Sequence, residues 1–332
     1  MNNKICIASI AIVATALDSF GVCRTIGEYG FRNAFTNRTS ITDVEAYSCE
    51  EIGAHAFENA FQGCTSLTTV KFNSVTNVGD FGFSEAFIGC SNLSDVQFRN
   101  LYKVGIQGMS YAFSGCVGLS SVSFPALNEI QGNGFQGAFN NTSVRSINFP
   151  SLRFASTETF SSNTEITDIS IPLMSTLVPG MFNGCSSLTN IYAPEAFQIV
   201  ADPFSGNTSL KEIHLPKLDS IVDMNQLYIP NIEFADFPRL VDLPASFFMN
   251  LPKLHTVVLT RLETVRATSF AFTPMLKDIN LPSVTNIETS AFGLSSVTNL
   301  SLQSISTNSY DELWSVPSGC VIHFKDGDIT VQ

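Results

Sequence analysis

Ala60-Phe61-Gln62-Gly63-Cys64-Thr65-Ser66-Leu67-Thr68-Thr69-Val70-Lys71-Phe72 is a pattern that the chain repeats almost from end to end. Leu67 is the anchor. Its slot is filled in turn by Ile41, Leu67, Leu93, Leu119, Val144, Ile166, Leu188, Leu210, Ile232, Leu254, Leu276 and Val297. The spacings are 26, 26, 26, 25, then six of 22, then 21. Three residues past each anchor runs a second apolar column, from Val44 and Val70 to Ile279 and Leu300. Five residues past runs a third, with Phe72, Phe98, Phe124, Phe149, Leu215 and Leu281 among its members. Proline often follows, as at Pro125, Pro150, Pro172, Pro194, Pro216, Pro238 and Pro282. A fixed period of this size is the signature of stacked coils.

Positions three and five past the anchor alternate with polar residues, the period of a half-buried strand. Proline cannot continue a sheet interior, so it ends each strand. Two further apolar columns, as at Leu127 and Ile130 or Val284 and Ile287, give a second short extended piece. One coil cannot enclose a core, but stacked coils bury each column against the next.

The chain holds 28 Phe against seven Tyr and one Trp. The repeat accounts for the skew. Six residues before the anchor lie Phe35, Phe61, Phe87, Phe113, Phe160, Phe182, Phe204, Phe248 and Phe270, with Phe139 and Phe292 shifted by one. They predict an aromatic spine. The longer coils add Phe31, Phe57, Phe83, Met109 and Phe135, so their extra residues widen the coil and fill it with one more apolar side chain. The spine breaks at Gln226, within Met224-Asn-Gln-Leu-Tyr-Ile-Pro230, which predicts an irregular coil.

The run Ala-Phe-x-Gly-Cys-x-Ser-Leu-Thr-x-Val, at Ala60 to Val70 and, with Met181 and Ile191 at its ends, at Met181 to Ile191, resembles the BspA-type (Treponema-type) leucine-rich repeat. The resemblance covers about residues 20–306. It implies a solenoid on a secreted or surface protein that binds host matrix, other cells or glycans. Some such proteins belong to phage or prophage tails. The resemblance carries no shared catalytic motif.

Residues 5–16 form an apolar run behind Lys4, ending in Ala14-Thr15-Ala16, which reads as a signal peptide with a small-residue cleavage site. The alternative is a capping strand. The repeat grammar stops near Asn308, and Val321-Ile-His-Phe324 followed by Ile329-Thr-Val331 reads as a hairpin turning at Asp326-Gly327. Expected domains are therefore a signal at 1–16, a solenoid at 17–306 and a cap at 307–332.

The 332 residues carry a formal charge of −12, with 14% charged and 44% hydrophobic residues. Disorder needs the opposite balance. The negative sign disfavours nucleic acid, which needs a basic stripe, and an anionic membrane surface. No run is long enough to span a bilayer.

Several constellations suggest chemistry. Cys64, Cys90, Cys116 and Cys185 share the slot three before the anchor, and Cys23 shares another with Cys49. A straight column cannot surround a tetrahedral metal. Asn141, Asn163 and Asn207 stand in the same slot elsewhere, so a small side chain bonding a turn backbone is expected. A Cys23–Cys49 bridge is sterically feasible in a secreted chain. Gly132-Asn-Gly134-Phe-Gln-Gly137 matches the dinucleotide fingerprint but lies in a repeat insertion with no βαβ unit around it, so no nucleotide is expected. Asp326-Gly-Asp328 lacks the remaining ligands of a calcium loop. His214 neighbours Asp236, yet Ser170 lies two coils away, beyond the reach of a triad. No catalytic residue, metal or cofactor is expected.

The strand face is the better candidate. Tyr192, His214, Phe234 and Asp236, with Glu212 beside them, fall on neighbouring coils where Ser, Thr, Asn and Asp fill the face elsewhere. Aromatics mixed with carboxylates suit protein or sugar recognition. The expected fold is a mainly β repeat solenoid, a right-handed leucine-rich-repeat superhelix of about twelve coils with a parallel strand ladder and a C-terminal β-hairpin cap. The expected function is a non-enzymatic adhesin-like module, extracellular or on the cell surface. Its partner would be a surface protein or glycan of a host or neighbouring cell. The alternative is a phage or prophage tail protein that recognises a host.

Overall fold

The computed structural model describes the backbone of Lys4–Cys6 and residues 24–332. The chain forms two compact units. The first runs to Leu173 and includes Gly180–Leu188; the second holds Met174–Pro179 and Thr189–Gln332. Each is a β-solenoid of stacked parallel strands. The described helical structure is two short 3-10 turns, Thr307–Ser309 and Glu312–Trp314.

In the first unit, strands Asp43–Glu45, Thr69–Lys71 and Asp95–Gln97 pair in parallel, with Val44 opposite Val70 and Val70 opposite Val96. Ser146–Asn148 pairs likewise with Asp168–Ser170. The second extended pieces make their own ladder of six, from Thr25–Ile26 to Phe154–Ala155. In the second unit, Glu212–His214, Phe234–Asp236 and Thr256–Val258 form one sheet. Asp278–Asn280, Asn299–Leu302 and Val321–Phe324 form another, closed by antiparallel Gly327–Thr330. All twelve anchors are buried, and so is the whole column five past them. In the column three past, Val122 and Ile191 alone are half-buried.

The segment between each second strand and the next anchor is a ladder of tight turns. Every fourth residue there takes a positive φ: Tyr29, Asn33 and Asn37, or His55, Asn59 and Gly63. Intervening amides bond carbonyls of the next coil, as in Phe31 N to Ala56 O at 2.7 Å and Phe35 N to Ala60 O at 2.8 Å. Shorter coils keep two such positions, for example Ser246 and Asn250, or Thr268 and Phe272. The four extra residues of a long coil are thus one more turn of this ladder, and that turn carries the added Phe. A left-handed non-glycine residue costs about 1–2 kcal/mol, so the inter-coil bonds must offset that strain repeatedly.

The aromatic spine is present. Phe35, Phe61, Phe87, Phe113 and Phe139 stack in series at centroid separations of 5.1, 5.5, 5.5 and 5.9 Å. Phe72, Phe98, Phe124 and Phe149 make a parallel stack at 5.6, 5.9 and 5.9 Å. Phe57, Phe83 and Phe135 meet that stack edge-on, as in Phe72–Phe83 at 4.9 Å and 72°. Stacked and T-shaped pairs are both preferred geometries. In the second unit Phe248, Phe270 and Phe292 stack at 5.5 Å and 5.5 Å. The segment around Gln226 follows the strand Ser220–Val222 but keeps a single positive-φ residue, Asp223, and Gln226 Nε2 donates to Met249 O at 2.7 Å.

About 14 turns are present among the described residues, against twelve anchors. Strands Lys4–Cys6, paired with Asp43–Glu45, and Val321–Phe324, paired with Asn299–Leu302, add one at each end. Val321–Phe324 therefore continues the parallel ladder before it starts the hairpin. The turn residues are Lys325-Asp326, one place earlier than the sequence suggests, because Phe324 pairs with Gly327. Ile322, Phe324 and Trp314 are buried beneath this cap. Apart from Lys4–Cys6, the signal-peptide reading of residues 1–16 lies outside the described residues, as does a Cys23–Cys49 bridge.

Candidate functional site

The parallel ladder places the strand-face residues. A strand points successive side chains to opposite faces, so Ile213 and Ala235 go inward while Glu212, His214, Phe234 and Asp236 go outward. The register sets Glu212 opposite Phe234 and His214 opposite Asp236. His214 then lies among three of the expected residues. Its Nδ1 is 3.4 Å from Asp236 Oδ2, its Nε2 is 3.5 Å from Glu212 Oε2, and its ring centroid is 5.0 Å from that of Phe234. Side-chain exposures of 53% for His214, 64% for Glu212 and 26% for Asp236 leave the cluster open to a partner. Tyr192, 59% exposed, stands on the strand Asn190–Tyr192, and no described ring stacks on it. At the flank, Lys211 Nζ lies 3.0 Å from Glu233 and holds that carboxyl below the usual carboxylate range.

Both ring nitrogens of His214 face carboxylates, and among the described residues no hydroxyl or thiol bonds to it. The arrangement can orient charge and aromatic surface, but it presents no activated nucleophile. No described group of His, Cys, Asp and Glu could hold a metal ion. No described helix is long and apolar enough to cross a membrane.

The other constellations resolve into structure. Cys64, Cys90, Cys116 and Cys185 donate to the Phe carbonyl of the preceding coil: Phe35, Phe61, Phe87 and Phe160, at 3.1–3.2 Å. Asn163 fills the same role, with Nδ2 on Phe135 O at 2.9 Å and Oδ1 accepting from Phe139 N at 2.9 Å. The slot bonds turn backbone, as the sequence suggested: within its own turn at Asn163 and Asn207, whose Nδ2 atoms donate to Phe160 O and Phe204 O at 2.7 Å, and also from coil to coil at the cysteines and Asn163. Gly134 and Gly137 serve close packing. A Cβ at Gly134 would lie 2.3 Å from Ile130 Cγ2, and one at Gly137, where φ is +55°, would lie 2.3 Å from the Tyr111 ring. In Asp326-Gly-Asp328, Asp326 accepts from Thr307 N at 2.8 Å and Asp328 lies 3.1 Å from His323 Nδ1.

Two features escaped the sequence reading. A cavity of about 530 Å³ lies beside the irregular coil, lined by Asp219, Asp223, Asn225 and the Asp242–Arg266 pair. A shallower depression of about 270 Å³ lies on the strand face among Asp278, Asn280, Asn299 and His323. Both sit where a strand ladder is interrupted, which no residue column announces.

A family model described as a BspA type leucine rich repeat region of six copies matches residues 24–137, 109–228, 175–298 and 241–316. The chain belongs to the BspA-type leucine-rich repeat family. The chain is also similar to several solved structures. A leucine-rich repeat protein from Bacteroides ovatus is 22% identical, over 79% of this chain and 75% of that one, with a TM-score of 0.49. A leucine rich cell surface protein from Faecalibacterium prausnitzii is 17% identical, over 98% and 88%, with a TM-score of 0.35. The pneumococcal vaccine antigen PcpA is 16% identical, over 91% and 79%, with a TM-score of 0.36. No curated protein matches this BspA-type chain.

Proposed function

We propose that this BspA-type chain is a non-enzymatic adhesion module, displayed outside the cell or on its surface, that holds a protein partner against the strand face of its second unit. The observation that carries this reading is the exposed cluster of Glu212, His214, Phe234 and Asp236. Outward carboxylates beside an aromatic pair suit a protein surface bearing Lys or Arg, through ion pairs and cation–π contact. The formal charge of −12 would steer such a partner in. A rigid ladder lowers the ordering cost of holding a large ligand. Tyr192 extends the patch on the preceding strand.

The test is capture on an array of immobilised extracellular-matrix and cell-surface proteins. The triple variant Tyr192→Ala, Phe234→Ala, Asp236→Ala should bind at least about tenfold more weakly, the loss expected of a central aromatic-and-charge cluster, with an unchanged melting temperature. A folded triple variant that captures as well as the parent chain overturns the assignment of the patch.

A further inference from the structure

Thr256–Val258 is the last strand of one hydrogen-bonded sheet, and Asp278–Asn280 is the first strand of the next. The ladder opens between them, leaving a depression of about 270 Å³ on the strand face. Its floor is apolar: Val257 and Ile279, the inward residues of the two strands, are the buried residues that line it. Its rim is polar and comes from three coils: Asp278, Asn280, Asn299, Ser301 and His323.

The rim is partly pre-oriented. Asn299 Nδ2 donates to Asp278 Oδ1 at 2.6 Å, which fixes the carboxylate and leaves Oδ2 for a ligand. His323 Nδ1 lies 3.1 Å from Asp328 Oδ1, so the ring is held at one nitrogen and presents Nε2. Gln303 Nε2 lies 3.4 Å from Ser301 Oγ and 3.3 Å from His323 O, tying those two coils together. The Asn280 side chain is exposed and makes no hydrogen bond among the described residues. A carboxylate, two carboxamides, a hydroxyl and an imidazole thus offer both acceptors and donors.

Size and charge select the ligand. Pockets for drug-sized molecules run from about 300 to 1,000 Å³, so this one takes a single ring. One carboxylate repels an anion. The lone charge, already shared with an amide, makes a weak seat for a cation. A neutral ring with hydroxyls at its edge and C–H groups on its face matches both rim and floor. We infer that the depression formed by Asp278, Asn280, Asn299, Ser301 and His323 over Val257 and Ile279 is a binding site for one sugar unit. The vicinal hydroxyls lie against Asp278 and the two amides, and the apolar face of the ring lies on Val257 and Ile279. This site is separate from the Tyr192–Asp236 patch and does not depend on that reading.

The experiment is saturation-transfer NMR on the full chain with the methyl glycosides of glucose, galactose, mannose and N-acetylglucosamine at millimolar concentration. At least one glycoside should receive saturation on its ring C–H protons. The double variant Asn280→Ala, Asn299→Ala removes exposed side chains and should melt with the parent. It should weaken binding about tenfold or more, as losing two hydrogen-bonding groups requires. A Tyr192→Ala, Phe234→Ala variant should keep the signal, which separates this site from the protein-binding patch. Absence of transfer to all four glycosides overturns the inference. So does transfer undiminished in the double variant, or a preference for n-butylammonium, a lysine side-chain mimic, over every sugar.

Discussion

At Asp202 burial and hydrogen bonding pull in opposite directions. Its Oδ1 accepts from Phe204 N at 2.8 Å, which favours the carboxylate, but desolvation is the larger effect and raises its pKa above the ordinary value. A group whose pKa is raised on folding adds stability while it is neutral, below its unfolded value of about 3.9. That stability is lost as pH rises through the folded value. Asp202→Asn keeps the acceptor and removes the charge. It should melt higher than the parent at neutral pH, with the gap closing near pH 3. Thermal unfolding at the two pH values decides the matter, and a gap of equal size at both refutes it. The cysteine slot shows the same balance at its uncharged limit. Burial pushes the Cys64 thiol up to about 11 and the Cys185 thiol up to about 12, and the neighbouring Cys116 together with burial raises that of Cys90. All three remain protonated donors to a carbonyl, and Asn163 substitutes for them with an amide. That exchange is why the column read as structural from sequence: Cys and Asn share little except small size and a donor.

At the scale of the element, the turn ladder and the Phe stacks are one device. Each four-residue turn brings a ring inward and aligns an amide with the next coil. Phe113 is fully buried between Phe87 and Phe139. Phe113→Ala should cost about 3–5 kcal/mol through the cavity it leaves, measured by urea unfolding. A midpoint unchanged from the parent would sink the spine as a source of stability. The Phe columns were legible in the sequence because period and residue type coincide there. The left-handed turns were not: Tyr29, Phe81, Tyr111 and Phe272 occupy positive φ where Gly or Asn is the usual signal. Tertiary bonding overrides local preference at those residues. The candidate patch was legible because parallel register converts a spacing of 22 into adjacency at His214 and Asp236. The sugar-sized depression was hidden for the complementary reason. Asp278, Asn280, Asn299 and Ser301 follow the polar norm of the face, and only the interrupted ladder turns them into a rim.

At the scale of the molecule, a stack of coils has no contact that reaches past its neighbours, so its stability is a sum of coil terms and nearest-neighbour terms. Acidic groups are spread along the chain rather than gathered, and the exposed pairs Lys217–Glu195 and Arg266–Asp242, at 2.6 Å each, link adjacent coils. Exposed pairs of this kind add at most about 1 kcal/mol. Packing and inter-coil amide bonds therefore carry the stack, and both are local. Damage should be local as well. Native-state hydrogen exchange on the Phe113→Ala chain should show lost protection in the inter-coil amides around the cavity, such as Phe87 N and Phe113 N, which bond Ala112 O and Ala138 O at 2.9 and 3.0 Å. The amides of Phe248 and Phe270, bonded to Ser269 O and Ala291 O at 3.0 and 2.8 Å, should exchange as in the parent chain. Uniform loss of protection from Phe35 to Phe292 would mean that the chain unfolds as one cooperative body, and the nearest-neighbour account would fail.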